Sequence, residues 1–151
     1  MKLRLPACVI VVAMLGIVIA HAQVDKSPAV ADANTASEQD LLAMPHMTPA
    51  LVKGLIQKRP FASITDLNAY LVSQKLTPEQ TKAFYEKAFV PIKLNTATTE
   101  EILLVPGAGK RMVHEFKEYR PWKTKAQFIK EIGKYVGAPE AERLWRYVVI
   151  D

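Results

Sequence analysis

The sequence predicts an all-α protein: two tandem four-helix units behind a cleavable export signal. Three observations predict it. One apolar run lies near the N-terminus, the rest of the chain repeats itself at a constant shift, and helix start and stop signals recur inside each repeat.

The repeat settles the organisation. Asn34-Thr35-Ala36 returns as Asn95-Thr96-Ala97, Pro45 as Pro106, Arg59-Pro60-Phe61 as Arg120-Pro121-Trp122, and Pro78-Glu79 as Pro139-Glu140, every pair 61 positions apart without a gap. Chance similarity does not hold one register from Asn34 to Glu79. The expected division is a signal at 1–22, a first unit at 23–90 and a second at 91–151.

Punctuation inside each unit marks four short helices. Ser37 before Asp40, and Thr98 before Glu101, have capping-box spacing, in which the hydroxyl accepts from an orphan N–H and the acid reaches back. The first helix of each unit ends near Pro45 or Pro106. In the second, Val52, Leu55 and Ile56, or Met112, Val113 and Phe116, make one buried stripe at helical spacing. Pro60 and Pro121 stop it by driving the preceding Arg out of the helical region. Ser63-x-x-Asp66 and Thr124-x-x-Gln127 open a third helix, with Leu67, Tyr70 and Leu71, or Phe128, Ile129 and Ile132, facing inward. Thr77-Pro78-Glu79-Gln80 opens a fourth with a cap and a proline at its first position. Leu144, Tyr147 and Val148 are the expected inner stripe of its partner. No stretch alternates long enough to predict a strand. Units this small bury little of their surface, so Phe61, Phe84, Trp122, Phe128 and Trp145 are expected in the core rather than on a stacking platform.

At the N-terminus, Lys2 and Arg4 precede an apolar run from Cys8 to Ala20, and Ala20-His21-Ala22 is an A-x-A cleavage site. The run is shorter than the roughly 20 residues that cross a bilayer. Cys8 stands at its start and not after it, which excludes the lipoprotein arrangement. Cleavage removes the only cysteine, and with it any disulfide, thiol nucleophile or Cys metal site. The expected location is the periplasm, with no membrane attachment after cleavage.

Chemistry is sparse. His46 and His114 fall in different units, and His114-Glu115 lacks the second histidine of a zinc-protease helix, so a solvated helix face is expected there. Glu100-Glu101 suits a helix N-terminus rather than an acid pair. No catalytic residues, metal site or cofactor are expected. Residues 24–90 are net neutral, whereas 91–151 carry eleven Lys/Arg against eight Asp/Glu. An anionic partner is therefore expected on the second unit, whose Lys117, Lys123, Lys125, Lys130 and Lys134 extend a basic face.

The segment NTATTEEILLVPGAGKRMVHEF, followed by YRPWKT, resembles the helix-hairpin-helix unit of the ComEA family, the DNA receptors of natural competence. NTASEQDLLAMPHMTPALVKGLI, then KRPFASITDL, resembles it too, and the similarity spans nearly all of residues 23–151. The resemblance implies two RuvA domain 2-like helix-hairpin-helix units and sequence-independent binding to the backbone of double-stranded DNA. It also implies a role in DNA uptake, alongside other periplasmic or uptake-machinery proteins. The implied phosphate-binding residues are Gly107, Ala108, Gly109, Lys110 and Arg111. Their chemistry stands independently: glycines permit a tight turn and close approach, N–H groups at a helix start attract anions, and two cations follow at once. The first unit has His46 for Gly107, Thr48 for Gly109, Pro49 for Lys110 and Ala50 for Arg111, losing an amide and both charges. It is expected to be structural or protein-binding. The alternative for the whole chain is a periplasmic scaffold that has lost DNA affinity.

Export is testable directly. Protein recovered from the periplasm is expected to begin at Gln23 by N-terminal sequencing; membrane-bound chain retaining Met1 refutes the soluble periplasmic assignment.

Overall fold

The computed structural model describes residues 29–151. The signal segment and its cleavage site lie outside them. The chain is predominantly helical. In order it forms β1 (Ala31–Asp32), α1 (Glu38–Leu42), α2 (Pro49–Lys58), α3 (Ile64–Ser73), α4 (Pro78–Tyr85), β2 (Ala88–Phe89), β3 (Ile92–Lys93), α5 (Thr99–Leu104), α6 (Lys110–Glu118), α7 (Lys125–Val136), α8 (Ala138–Trp145) and β4 (Val148–Val149). One strand, four helices and one strand thus occur twice in succession.

The strands correct the all-α expectation. β1 pairs in parallel with β2, and β3 with β4, aligning Ala31 with Ala88 and Ile92 with Val148. Each strand is two residues long, too short to show an alternating pattern, and its partner lies across four helices. For the same reason Tyr147 and Val148 do not belong to the last helix. α8 ends at Trp145, Val148 joins the pairing, and the Tyr147 carbonyl accepts from Ile92 N–H at 2.9 Å.

Helix starts follow the sequence closely. Thr77 with Gln80, and Thr98 with Glu101, form complete capping boxes. Ser37, Ser63 and Thr124 each accept from the N–H three residues on. The Ser37 hydroxyl also donates to the Asp40 carboxylate at 2.6 Å, so that pair is not reciprocal through the backbone. Arg59, before Pro60, leaves the helical region with ψ of 149°, and both Arg–Pro peptide bonds are cis.

The repeated Asn-Thr-Ala and Arg-Pro-aromatic motifs meet in space. Asn34 accepts from Phe61 N–H at 2.8 Å and donates to the Phe61 carbonyl at 3.1 Å. Asn95 makes the same two bonds to Trp122, at 2.7 and 3.1 Å. Arg59 donates to the Ala36 carbonyl at 2.8 Å, and Arg120 to the Leu94 and Ala97 carbonyls at 2.8 and 2.6 Å. One side chain thus satisfies both polar groups of a backbone unit where no strand passes.

Phe61, Phe84, Trp122 and Phe128 are buried, and Trp145 packs partly buried against Phe128 with ring centres 5.4 Å apart. Buried apolar residues from both repeats form one continuous cluster. α3 packs on α5, and Phe89 meets Tyr147 edge-to-face at 5.1 Å. Glu115, expected on a solvated face, is buried on α6, whereas neighbouring His114 is exposed.

Asn95→Ala leaves the N–H and carbonyl of Trp122 without their partner. Urea unfolding is expected to show a loss of about 1–3 kcal/mol, and Asn34→Ala a comparable one. A loss within error at both positions refutes the clamp.

Candidate nucleic-acid interface

The turn between α5 and α6 carries Gly107, Ala108 and Gly109, and Lys110 and Arg111 open α6 directly after it. α5 ends as Val105 adopts an extended conformation, and the chain reverses through Pro106 and Gly107. Gly107 has φ of +84°, the left-handed region that glycine enters without steric cost. Ala108 donates its N–H to the Val105 carbonyl at 2.9 Å, so that amide serves the turn and is not open to an anion.

Gly109 differs from Gly107. Its φ of −106° is ordinary for any residue, and a Cβ built on it meets nothing within 4 Å. The turn does not require glycine there. What its absent side chain leaves open is approach to the start of α6, where Gly109 is the N-cap and makes no side-chain cap hydrogen bond. The first-turn N–H groups therefore lack a capping acceptor and present the positive end of the helix dipole. Lys110 and Arg111 are exposed beside them. The Arg111 guanidinium lies 4.9 Å above the Tyr135 ring, a cation–π contact that holds its stem along α7.

Two residues not singled out from the sequence fix this turn. Arg143 on α8 donates to the Pro106 carbonyl at 2.6 Å and holds Glu140 through two bonds, of 2.6 and 2.8 Å. A Cβ at Gly107 would lie 2.5 Å from Arg143 Nη2, so glycine there also makes room for the arginine. Hydrogen bonding from Arg143 lowers the Glu140 carboxyl below its ordinary value, and Glu140 raises the guanidinium. The carboxylate therefore supports the latch at neutral pH and loses that role only as pH falls through its depressed pKa. In sequence these residues form an ordinary Glu-x-x-Arg helical pair; only the packing of α8 brings them to the turn.

The first repeat builds the same turn differently. His46 replaces Gly107 and is held at φ of 62°. Thr48 caps α2 by accepting from Leu51 N–H at 3.3 Å, and Pro49 occupies its first position. The amides open on α6 are thus capped or missing on α2.

The basic face is smaller than expected. Lys125 pairs with Glu142 at 2.7 Å, Lys130 and Lys134 flank Glu131, and Lys117 donates to Thr99 at 2.5 Å. Of the five expected lysines, only Lys123 keeps its ammonium without such a partner among the described residues. The turn also lines a groove of about 670 Å³, whose opposite wall comes from α3 and α4.

His46→Gly is expected to stabilise the chain by roughly 0.5–1 kcal/mol, since it relieves a left-handed conformation at some cost in chain entropy. A raised urea midpoint with unchanged m-value checks this; a lowered midpoint refutes the strain. Comparison of the chain with protein-family models, curated proteins and solved structures returns no match.

Proposed function

We propose that this is an exported, non-catalytic protein that binds double-stranded DNA through its phosphates without reading bases. In this proposal the chain is two tandem helix-hairpin-helix units, and only the second carries a binding hairpin. DNA uptake is the role that the ComEA resemblance suggests.

The observation that carries the proposal is Gly109. The fold accepts any residue there, yet glycine leaves the uncapped start of α6 open between Lys110 and the Gly107 turn. A phosphate placed there meets N–H donors, the helix dipole and two cations, none of which depends on base identity. The first repeat supplies an internal contrast, since Thr48 and Pro49 occupy the same place with a cap and a missing amide.

A specific observation favours the scaffold reading as well. Lys125, Lys130 and Lys134 already lie beside carboxylates, so their charge is partly neutralised where it stands rather than presented as an open basic face. Salt dependence separates the two, because phosphate binding releases counterions and weakens steeply as salt rises.

Since the core runs through both repeats, the test uses the whole of residues 23–151. Titration with random duplex at low salt is expected to give a dissociation constant of roughly 10⁻⁴ to 10⁻⁶ M, the range of non-specific binding. Replacing Lys110 and Arg111 by Ala is expected to lower the salt slope by about one unit for every phosphate that is no longer neutralised. Gly109→Val is expected to abolish binding with the circular dichroism spectrum unchanged. Normal binding by Gly109→Val, or affinity indifferent to salt, overturns the mechanism in favour of the scaffold.

A further inference from the structure

We propose that the groove between the two repeats receives one unpaired nucleobase, while the phosphate beside it sits at the start of α6. This deepens the phosphate-binding proposal and rests on it.

The groove has the dimensions of a ligand site, since about 670 Å³ lies within the roughly 300–1,000 Å³ usual for one. Its walls expose apolar surface that folding leaves uncovered. Val72 on α3 is 57% exposed and Leu103 on α5 is 44% exposed, two of the four large apolar side chains exposed among the described residues. Aliphatic walls of this kind can sandwich a planar base.

Polar groups select the class of occupant. Asn68 accepts from the Tyr85 hydroxyl at 3.1 Å, which leaves its amide NH₂ as a donor at the groove. Thr81, on the same wall, is 5% exposed, and its covered hydroxyl has no hydrogen-bond partner among the described residues. An acyl chain or an apolar side chain would cover the Asn68 amide without a partner, whereas the edge of a base offers it an acceptor; a base edge reaches the covered Thr81 hydroxyl only if that side chain changes rotamer. Among the described residues no carboxylate lines the groove, and Lys82 is its one charged residue. The charge therefore suits an anion.

Gly109 ties base and phosphate together. It lines the groove and also opens α6, so a phosphate on the α6 amides places its own nucleoside beside the cleft. A paired base reaches such a cleft only after unstacking, whereas a single-stranded end offers one at little cost. The expected ligand is thus DNA with a frayed or overhanging end.

Residues 23–151 are titrated with blunt duplex and with the same duplex carrying a short single-stranded overhang. The overhang is expected to bind roughly tenfold tighter, the scale of one stacked base. Val72→Gln combined with Leu103→Gln, at exposed positions and without change of charge, is expected to abolish that advantage and leave blunt binding unaltered. Thr81→Val is expected to reduce the advantage while unfolding stability holds or rises, because a buried unpaired hydroxyl is removed. Adenosine, which lacks phosphate, is expected to compete only for the advantage. Equal binding of blunt and overhanging duplex overturns the nucleobase site and leaves the phosphate site standing. Binding of neither overturns both. An advantage that survives the Val72/Leu103 and Thr81 substitutions places the base elsewhere and also overturns the proposal. Displacement of adenosine's effect by decanoate at equal concentration assigns the groove to apolar amphiphiles instead.

Discussion

Each repeat depends on one asparagine that stands in for a missing strand. Asn34 and Asn95 bind both polar groups of the residue following the Arg-Pro pair, and the arginine reaches back to carbonyls beside the asparagine. That reciprocal arrangement closes the chain between the second and third helices. It seats Phe61 or Trp122 inward, and the Trp122 indole then donates to the Phe116 carbonyl at 2.8 Å within the core. Without the clamp, backbone groups would be buried without partners and the aromatic ring would lose its anchor.

The two clamps are unequal. Arg120 uses two nitrogens on two carbonyls, and the Asp151 carboxylate lies near it as a counter-charge. Arg59 makes one such bond, and its Nε and Nη2 are buried without hydrogen-bond partners among the described residues. Burial accordingly lowers its pKa, opposed by the nearby Asp32 charge. The first repeat thus carries an under-satisfied guanidinium and a histidine held at positive φ. The second keeps glycine at the turn and latches it with Arg143. Local strain is concentrated in the repeat whose hairpin lacks open amides.

The two glycines of the second turn play opposite parts. Gly107 is demanded by the backbone and by the arginine lying over it, and would be needed in a turn that bound nothing. Gly109 is demanded by neither. Their separation matters because a Gly-x-Gly motif is ambiguous between turn-making and ligand access, and only φ together with the space around each Cβ distinguishes them. The same turn lines the apolar groove, so one segment leads from open amides to aliphatic surface.

The sequence alone determined the repeat, its shift, the caps and the proline stops, because these are local signals read within a few residues. It also located the turn at Gly107 to Arg111 and the contrast with His46 to Ala50. The strands escaped it, since a two-residue pairing such as Ile92 with Val148 has no periodicity and joins distant segments. Tertiary structure likewise decided that Asn95 meets Trp122, that Arg143 lies on Pro106, and that Glu115 turns inward. It decided too that Lys125, Lys130 and Lys134 lie against carboxylates rather than forming an open basic face. Each of these joins elements whose packing angles are set by the whole core, and spacing along a chain carries no record of that geometry.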